Sequence, residues 1–243
     1  MENSAIADVT AILTVWKRSH LIEQLEALRK QSTLLKHIVV VQCENHTYFD
    51  LGEFPDVGLI HLSTDLGIYA RFTVPLVIRT KFCWIIDDDI IPANSYLENV
   101  IRCYRQHGSI VAGGGTIIDA VNFDKRVKII GYRGVNQDTE VDIACNSYFF
   151  ETRWIHSFWR YRPFSLDNGE DIHLSAALSL EGIKTFVPAQ VEAHQVANLK
   201  PRYGKSEDAL YKKAHHNHQR SQLCRRWFYE RHWKPLFAKN WEN

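Results

Sequence analysis

The chain has 243 residues, of which 45% are hydrophobic and 23% are charged, and its formal net charge is +1 at pH 7. This length suits one large α/β domain or two small ones with a substantial core. A net charge so close to zero gives no reason to expect nucleic-acid or membrane binding through bulk electrostatics. We therefore expect a globular protein without a nucleic-acid partner.

The cysteines and the N-terminal residues indicate which cellular compartment to expect. The five cysteines are widely spaced, without a Cys-x-x-Cys pair: Cys43, Cys83, Cys103, Cys145 and Cys224. A disulfide framework is therefore not expected, and a reducing compartment is favoured. The N-terminus lacks a signal-peptide pattern, and no apolar run approaches the roughly 18 residues of a membrane span. We expect a cytoplasmic, soluble chain, although a protein trimmed of an anchor would have the same pattern.

The chain opens with a β-α-β pattern. Val9–Trp16 is rich in β-branched residues, which is typical of a strand. Ser19 is a candidate cap for the helix that follows, whose apolar face carries Leu21, Ile22, Leu25 and Leu28. Ile38–Val41 is predicted to be a second buried strand, reached by a right-handed crossover. The pattern then predicts a strand at Leu59–Leu62, a helix over Tyr69–Arg79 and a helix from about Ala93 to Gln106.

Three consecutive carboxylates, Asp87-Asp88-Asp89, follow the apolar run Phe82–Ile86. The run is typical of a buried strand, whereas adjacent acids cannot remain in an apolar core. We expect the acids where the strand leaves the sheet, which is where ligands bind in open α/β sheets. Carboxylate oxygens suit Mg²⁺ or Mn²⁺, ions that usually hold phosphates as well. The alternative is a solvated acidic turn.

The second half of the chain predicts a different strand pattern. Ser109–Gly115 reads as a strand that runs into a tight glycine turn, without the Lys-Ser/Thr of a P-loop. We interpret these glycines as backbone that bends or approaches closely, rather than as a phosphate cradle. Residues 116–150 show short alternating segments, which predict antiparallel hairpins at one side of a mixed sheet. A helix that opens at Asp167 and runs through Leu180, a strand at Ile183–Val187 and a long helix from Ser206 towards His232 complete the chain.

Charged side chains on later elements are candidate partners of the acids. Glu170 and Asp171 lie in the first turn of a predicted helix, where they are either catalytic carboxylates or simple complements to the helix dipole. His216 and Arg220 are four residues apart and share a helix face, which can present an imidazole to a metal and a guanidinium to a phosphate. A solvated basic helix explains that pair equally well, and His194 is a competing lone ligand.

The motifs occur in the order seen in exostosin-type glycosyltransferases, the family 64 group with the GT-A fold, and family 2 enzymes share the first half. The chain resembles that family from about residue 9 to 236, through segments at residues 12–18, 70–72, 85–90, 170–172 and 216–224. The resemblance implies an α/β fold with a central mixed, mostly parallel sheet flanked by helices. It implies one GT-A domain over residues 1–243, with a nucleotide-binding half at about 8–115 and an acceptor and catalytic half at about 116–243.

The resemblance also implies which residues hold the donor. Thr14 and Arg18 would lie near the nucleotide, and Arg71 would contact it or its diphosphate. Asp87 and Asp88 would hold ribose and sugar hydroxyls. Two departures occur: Cys43-Glu44-Asn45 replaces the family's Asn pair, which puts base recognition in doubt, and Gly169 replaces a cysteine, which we interpret as tolerable.

The remaining roles that the resemblance implies concern the metal and the transferred sugar. Asp89, with Asp87, would ligate Mn²⁺ or Mg²⁺, and His216 would complete the metal shell. Arg220 would grip the diphosphate. Asp171, with Glu170 beside it, would lie next to the transferred sugar, as a general base in an inverting enzyme or as a positioning group in a retaining one.

The sequence therefore predicts a metal-dependent hexosyl- or N-acetylhexosaminyl-transferase of glycan biosynthesis, with a nucleoside diphosphate-sugar donor, most simply a UDP-sugar, and a carbohydrate hydroxyl acceptor. Two alternatives stay open at this point. One is a sugar-nucleotide nucleotidyltransferase, and the other is a carbohydrate-binding domain of the same fold without activity.

Overall fold

One mixed sheet organises the fold. The computed structural model describes residues 6–17, 19–44, 51–118, 123–130, 135–207 and 209–237. The strands are β1 (Ile6–Val15), β2 (Leu34–Cys43), β3 (Val57–Leu62), β4 (Phe82–Ile86), β5 (Ile110–Ile117), β6 (Val127–Ile130), β7 (Thr139–Val141), β8 (Ile143–Glu151) and β9 (Thr185–Val187). Their order across the sheet is β3-β2-β1-β4-β8-β5-β9-β7, and β6 pairs with β5. The helices are α1 (Leu21–Arg29), α2 (Tyr96–His107), α3 (Ile155–Arg160), α4 (Glu170–Ser179) and α5 (His216–Arg231).

The first half of the sheet is parallel. Strand β1 pairs in parallel with β2 and β4, and β2 pairs in parallel with β3, so the predicted β-α-β opening is confirmed. The register of β1 and β4 aligns Leu13 with Ile86. The next residue of each strand, Thr14 and Asp87, therefore lies at the same edge of the sheet. Parallel strands bring their carboxyl ends together there.

Helices cover both faces of the sheet, which explains why β1 is apolar on both sides. Val9, Ala11 and Leu13 belong to the core that α1 and α2 close. Ile12 points to the opposite core, which also contains Phe158 of α3 and residues of α4. Helix α5 packs outside α4 in a third cluster of apolar side chains.

The position of strand β8 differs from the prediction made for the second half of the chain. Its antiparallel pairing with β4 and β5 confirms the predicted antiparallel segments. However, β8 lies in the middle of the sheet rather than at one side. Burial explains this position, because Tyr148, Phe149 and Phe150 are 2% exposed or less and require cover on both faces.

Several helix boundaries also differ from prediction. Helix α1 begins after His20 without a side-chain cap, so the predicted Ser19 cap is wrong. The helix predicted over Tyr69–Arg79 is replaced by two short 3-10 turns, Ala70–Phe72 and Val74–Leu76, because Pro75 provides no backbone N–H. Helices α2 and α4 begin three residues later than the patterns predict.

The last helix is shorter than predicted. Helix α5 begins at His216 rather than Ser206, because His215 has a φ of 64°, which interrupts a right-handed helix. A 3-10 turn at Leu210–Lys212 precedes it. None of the helices in the described ranges combines the length and apolar character needed to cross a membrane.

The glycines of β5 allow close packing rather than a turn. The strand continues through Gly113 and Gly115, so the predicted tight turn is wrong. A methyl group on Gly115 would lie 2.5 Å from Val141 Cγ2, and one on Gly113 would lie 2.9 Å from Ser147 Oγ. The predicted close approach of the backbone is therefore confirmed.

We expect Gly115→Ala to lower the free energy of unfolding by about 1–3 kcal/mol, which is typical of overpacking. The new methyl group would clash with the buried, β-branched Val141 side chain. Gly58→Ala in β3 is the matched control, because its methyl group would meet its nearest neighbour at an ordinary 3.6 Å. Urea unfolding followed by circular dichroism measures both. Equal midpoints for the two variants would contradict this account of the β5 glycines.

Candidate active site

The candidate site lies at the carboxyl end of β4. Asp87, Asp88 and Asp89 follow the last buried residue of the strand and are half-buried, so the expected position at the strand exit is confirmed. Side chains from the 3-10 turn at Ala70–Phe72, from the start of α4 and from the first turns of α5 meet there. Residues that are distant in sequence therefore form one cluster.

Arg71 joins the acidic turn to α4. Its Nη1 donates to Asp87 Oδ1 at 2.5 Å, and its Nη2 donates to Glu170 Oε1 at 3.0 Å. The side chain is buried, and its guanidinium lies 5.4 Å from the ring centroid of Tyr148. Burial alone lowers the pKa of Arg71, but the negative charges of Asp87 and Glu170 outweigh it and raise that pKa above its usual range. Arg71 is therefore a fixed cation.

Two arginines each form an ion-pair clamp, that is, a guanidinium that joins two structural elements: Arg71 is the first and Arg220 is the second. Arg220 Nη2 donates to Asp171 Oδ2 at 2.7 Å, and its Nη1 donates to Asn168 Oδ1 at 3.3 Å. The Asn168 side-chain amide also lies 3.4 Å from His216 Nδ1. Because His216 and Arg220 both reach Asn168, the predicted shared face of the helix is confirmed. Burial opposes the charge of Arg220, yet Asp171 raises the pKa of this guanidinium.

A glycine before α4 allows this arrangement. Gly169 has a φ of 81°, a left-handed conformation that favours glycine, and a methyl group there would lie 2.4 Å from Leu223 Cδ1. The turn sends Asn168 towards α5 while Glu170 and Asp171 begin α4 beside both arginines. This backbone conformation therefore favours glycine at position 169.

Three polar residues that sequence reasoning missed hold the acidic turn in place. Gln24 Nε2 donates to the carbonyl oxygens of Asp87 and Ile90 at 2.8 and 2.9 Å. The carbonyl oxygen of Asn146 accepts the Asp87 N–H at 3.0 Å, and Asn198 Nδ2 donates to the Asp89 carbonyl at 3.3 Å. Gln24 left a signal in the sequence, because a polar residue interrupts the apolar face of α1 beside Leu21 and Leu25. Asn146 and Asn198 left none.

The ion pairs of the site hold more negative than positive charge. The half-buried Asp87 and the buried Glu170 and Asp171 face two guanidiniums. Burial raises the pKa of Asp87, as do Asp89 and Glu170, although Arg71 opposes the shift. Burial and the neighbouring Asp171 raise the pKa of Glu170, again against Arg71. The network therefore favours an additional cation.

The donor set at the acidic turn fits a hard divalent cation. Carboxylate oxygens are the ligands that Mg²⁺ and Mn²⁺ prefer. A methyl group on Gly204 would lie 2.9 Å from Asp89 Oδ2, so the backbone of the 3-10 turn Tyr203–Lys205 lies against this carboxylate.

Among the described residues, the cluster with three ligating atoms within 4.8 Å of one another is elsewhere, at Cys103, His107 and Asp138. At that cluster, Arg102 already binds both oxygens of Asp138.

The other residues predicted for the site differ in how the structure places them. Thr14 is half-buried near the end of β1, beside the start of the acidic turn. Arg18 and Asn45 lie outside the described residues. His194 is exposed in a 3-10 turn, where its carbonyl oxygen accepts the Ser95 N–H at 2.9 Å.

Aromatic side chains of α3 and of the residue that follows it pack mainly against the core. Phe158 is fully buried and stacks on Phe72 at 4.7 Å between ring centroids. The indole N–H of Trp159 donates to the Phe72 carbonyl oxygen at 2.9 Å, and Tyr161 packs edge-on against Trp227. Core packing therefore explains these three rings.

Comparisons with known proteins agree with this fold and these motifs. The model of the glycosyl transferase family 64 domain matches residues 9–242. The chain is similar to the crystal structure of S. aureus TarS, with a TM-score of 0.56 and 16% identity over 80% of this chain and 37% of that one. It is also similar to S. aureus TarS 1-349, with a TM-score of 0.51 and 15% identity over 74% of this chain and 60% of that one. The chain thus spans less than two thirds of either structure.

A comparison with curated protein sequences finds no match. The structural similarities, at such low identity, concern the fold. The family match covers nearly the whole chain and includes every element of the candidate site. The chain therefore belongs to glycosyl transferase family 64.

Proposed function

We propose that the protein is a metal-dependent GT-A glycosyltransferase that moves a sugar from a nucleoside diphosphate-sugar, a UDP-sugar, to a carbohydrate hydroxyl. The observation that carries this proposal is the buried pair of clamps, Arg71 with Asp87 and Glu170, and Arg220 with Asp171. In a family 64 chain, guanidiniums and carboxylates that meet at the end of a strand fit the charges of such a donor.

The two arginines supply the positive charge that a diphosphate requires. Both are buried and permanently charged, and a guanidinium can donate to two phosphate oxygens at once. The buried Nε of Arg71 has no hydrogen-bond partner within the described part of the chain, which agrees with a site that a ligand or water completes. Asp87 and Asp88 would accept hydrogen bonds from donor hydroxyls, with Thr14 and Arg18 near the nucleotide.

Asp89, with Asp87 and His216, would hold a Mn²⁺ or Mg²⁺ ion. Such an ion neutralises charge that develops on a departing diphosphate. Arg220 performs the same electrostatic task from the protein side, since it is fixed in place by Asp171 and Asn168. The surplus of buried negative charge supports this assignment.

Asp171 would act on the transferred sugar, with Glu170 beside it. One oxygen of Asp171 accepts from Arg220, and the other accepts from the Ile172 N–H at 2.7 Å. A carboxylate held in this way keeps its orientation, which suits stabilisation of a positively charged, oxocarbenium-like sugar. These contacts favour a positioning and electrostatic role over proton abstraction, and so favour retention at the anomeric carbon.

The two alternatives have less support. A nucleotidyltransferase usually carries a glycine- and lysine-rich triphosphate loop after its first strand, and Thr14-Val15-Trp16-Lys17-Arg18 offers none. A carbohydrate-binding domain without activity does not require two buried ion-pair clamps, because buried charges stabilise a fold weakly at best.

We expect release of UDP from a UDP-sugar in the presence of Mn²⁺, and loss of that release when EDTA removes the ion. The reason is that the departing diphosphate needs the cation to offset its charge. A panel of nucleotide sugars, followed by chromatography of the nucleotide product, measures this. Pyrophosphate release from a nucleoside triphosphate and a sugar phosphate would support the nucleotidyltransferase instead. Release at full rate in EDTA would contradict metal dependence.

We expect Asp171→Asn to lower turnover by about 100-fold or more, because the neutral amide removes the charge that stabilises the transition state. The variant should still fold but with lower stability, since the amide oxygen can accept from Arg220 while the buried charge of Arg220 loses its counter-ion. Asp167→Asn is the matched control, an exposed acid four residues away that should keep normal turnover. Steady-state turnover and thermal unfolding are measured for both variants. Unchanged turnover of the Asp171→Asn enzyme would remove Asp171 from the mechanism.

A further inference from the structure

A second cluster of positive charge lies away from the acidic turn. A pocket of about 370 Å³ opens between the segment after α3 and the C-terminal half of α5. Its lining consists of three arginines and two apolar residues: Arg162, Pro163, Phe164, Arg226 and Arg231. Arg226 follows Arg220 by six residues, which separates the two along the α5 axis by about 9 Å. The pocket is therefore distinct from the candidate active site.

Aromatic rings hold two of the arginines in place. The guanidiniums of Arg226 and Arg231 each lie 3.9 Å from the ring centroid of Phe164. Arg231 also lies 4.4 Å from the Trp227 ring and 5.3 Å from the Tyr161 ring. Stacking on rings fixes a guanidinium while leaving its edge N–H groups available for hydrogen bonds. These cations are therefore already oriented.

The polar groups of the pocket are incompletely paired. Arg231 Nη2 donates to the Arg162 carbonyl oxygen at 2.6 Å, whereas Arg231 Nη1 is buried and has no hydrogen-bond partner among the described residues. Burial and the nearby charge of Arg226 lower the pKa of Arg231. Glu230 pairs with Arg226 through both oxygens, so this carboxylate offsets the charge of one of the arginines that line the pocket. An anion would satisfy the buried donor and relieve the repulsion between the arginines.

We propose that this pocket binds an oxyanion, namely a sulfate, phosphate or carboxylate group. Planar guanidiniums recognise such groups through paired N–H donors. Packing of Arg231 on aromatic rings explains its position, but it does not explain a buried donor without an acceptor. The pocket also borders the segment that leads to Asn168, so an anion there would stabilise the chain next to the Arg220 clamp. The proposal stands whether or not the proposed glycosyltransferase activity is found.

The test is calorimetric titration with sodium sulfate at constant ionic strength. We expect the double variant R162Q/R226Q to bind sulfate about tenfold more weakly than the wild type, because it lacks two charge-assisted donors. Both positions are exposed, and thermal unfolding verifies that the variant folds. R225Q is the matched control, because it removes an exposed arginine of α5 that is absent from the pocket lining. Equal affinities of the double variant and R225Q would overturn the proposal, since sulfate would then bind elsewhere, such as at Arg71 and Arg220.

A second titration distinguishes the source of the anion. N-acetylglucosamine 6-sulfate and uncharged N-acetylglucosamine are compared with inorganic sulfate. Tighter binding of the sulfated sugar than of sulfate, lost in R162Q/R226Q and kept in R225Q, would assign the pocket to an anionic group on a saccharide. Equal binding of sulfate and sulfated sugar, with the same loss, would assign it to a free ion. The proposal fails if R162Q/R226Q changes the binding of neither anion.

Discussion

Two buried ion-pair clamps determine how the candidate site is built. Arg71 joins the acidic turn to α4, and Arg220 joins α4 to α5. Removal of one partner from a buried ion pair costs about 3–5 kcal/mol, so each clamp stabilises the contact between the elements that it joins. Glu170 and Asp171 are therefore central to the site, because Glu170 binds Arg71 and the adjacent Asp171 binds Arg220.

The sheet provides the frame that makes these clamps possible. Parallel pairing of β1 and β4 places the acidic turn at the edge of the sheet where β1 ends, close to Thr14. The antiparallel β8 then lies against β4 and provides Asn146, whose carbonyl oxygen holds the Asp87 N–H. Gln24 on α1 fixes the carbonyls of the same turn from the other side. The position of the carboxylates is thus a consequence of backbone hydrogen bonding as much as of their own charge.

Local patterns in the sequence were sufficient for the strands, the strand-end acids and the pairing of His216 with Arg220 on one helix face, because each depends on periodicity or on the cost of burying charge. They were insufficient where contacts between residues distant in sequence determine the structure. Val141 lies in the space that a side chain at Gly115 would need, and Leu223 Cδ1 lies in the corresponding space at Gly169. Likewise, no local pattern shows that Asn168 connects α4 to α5.

The charge balance of the acidic turn and the clamps bears on how the proposed cation and donor would bind. Asp87, Glu170 and Asp171 exceed the two guanidiniums by one negative charge, and burial together with neighbouring carboxylates raises the pKa of Asp87 and of Glu170. A divalent cation at the acidic turn would offset this charge and that of Asp88 and Asp89, and would thereby favour the approach of a diphosphate. Each ligand therefore improves the electrostatic environment of the next, so cation and nucleotide are expected to bind with positive coupling.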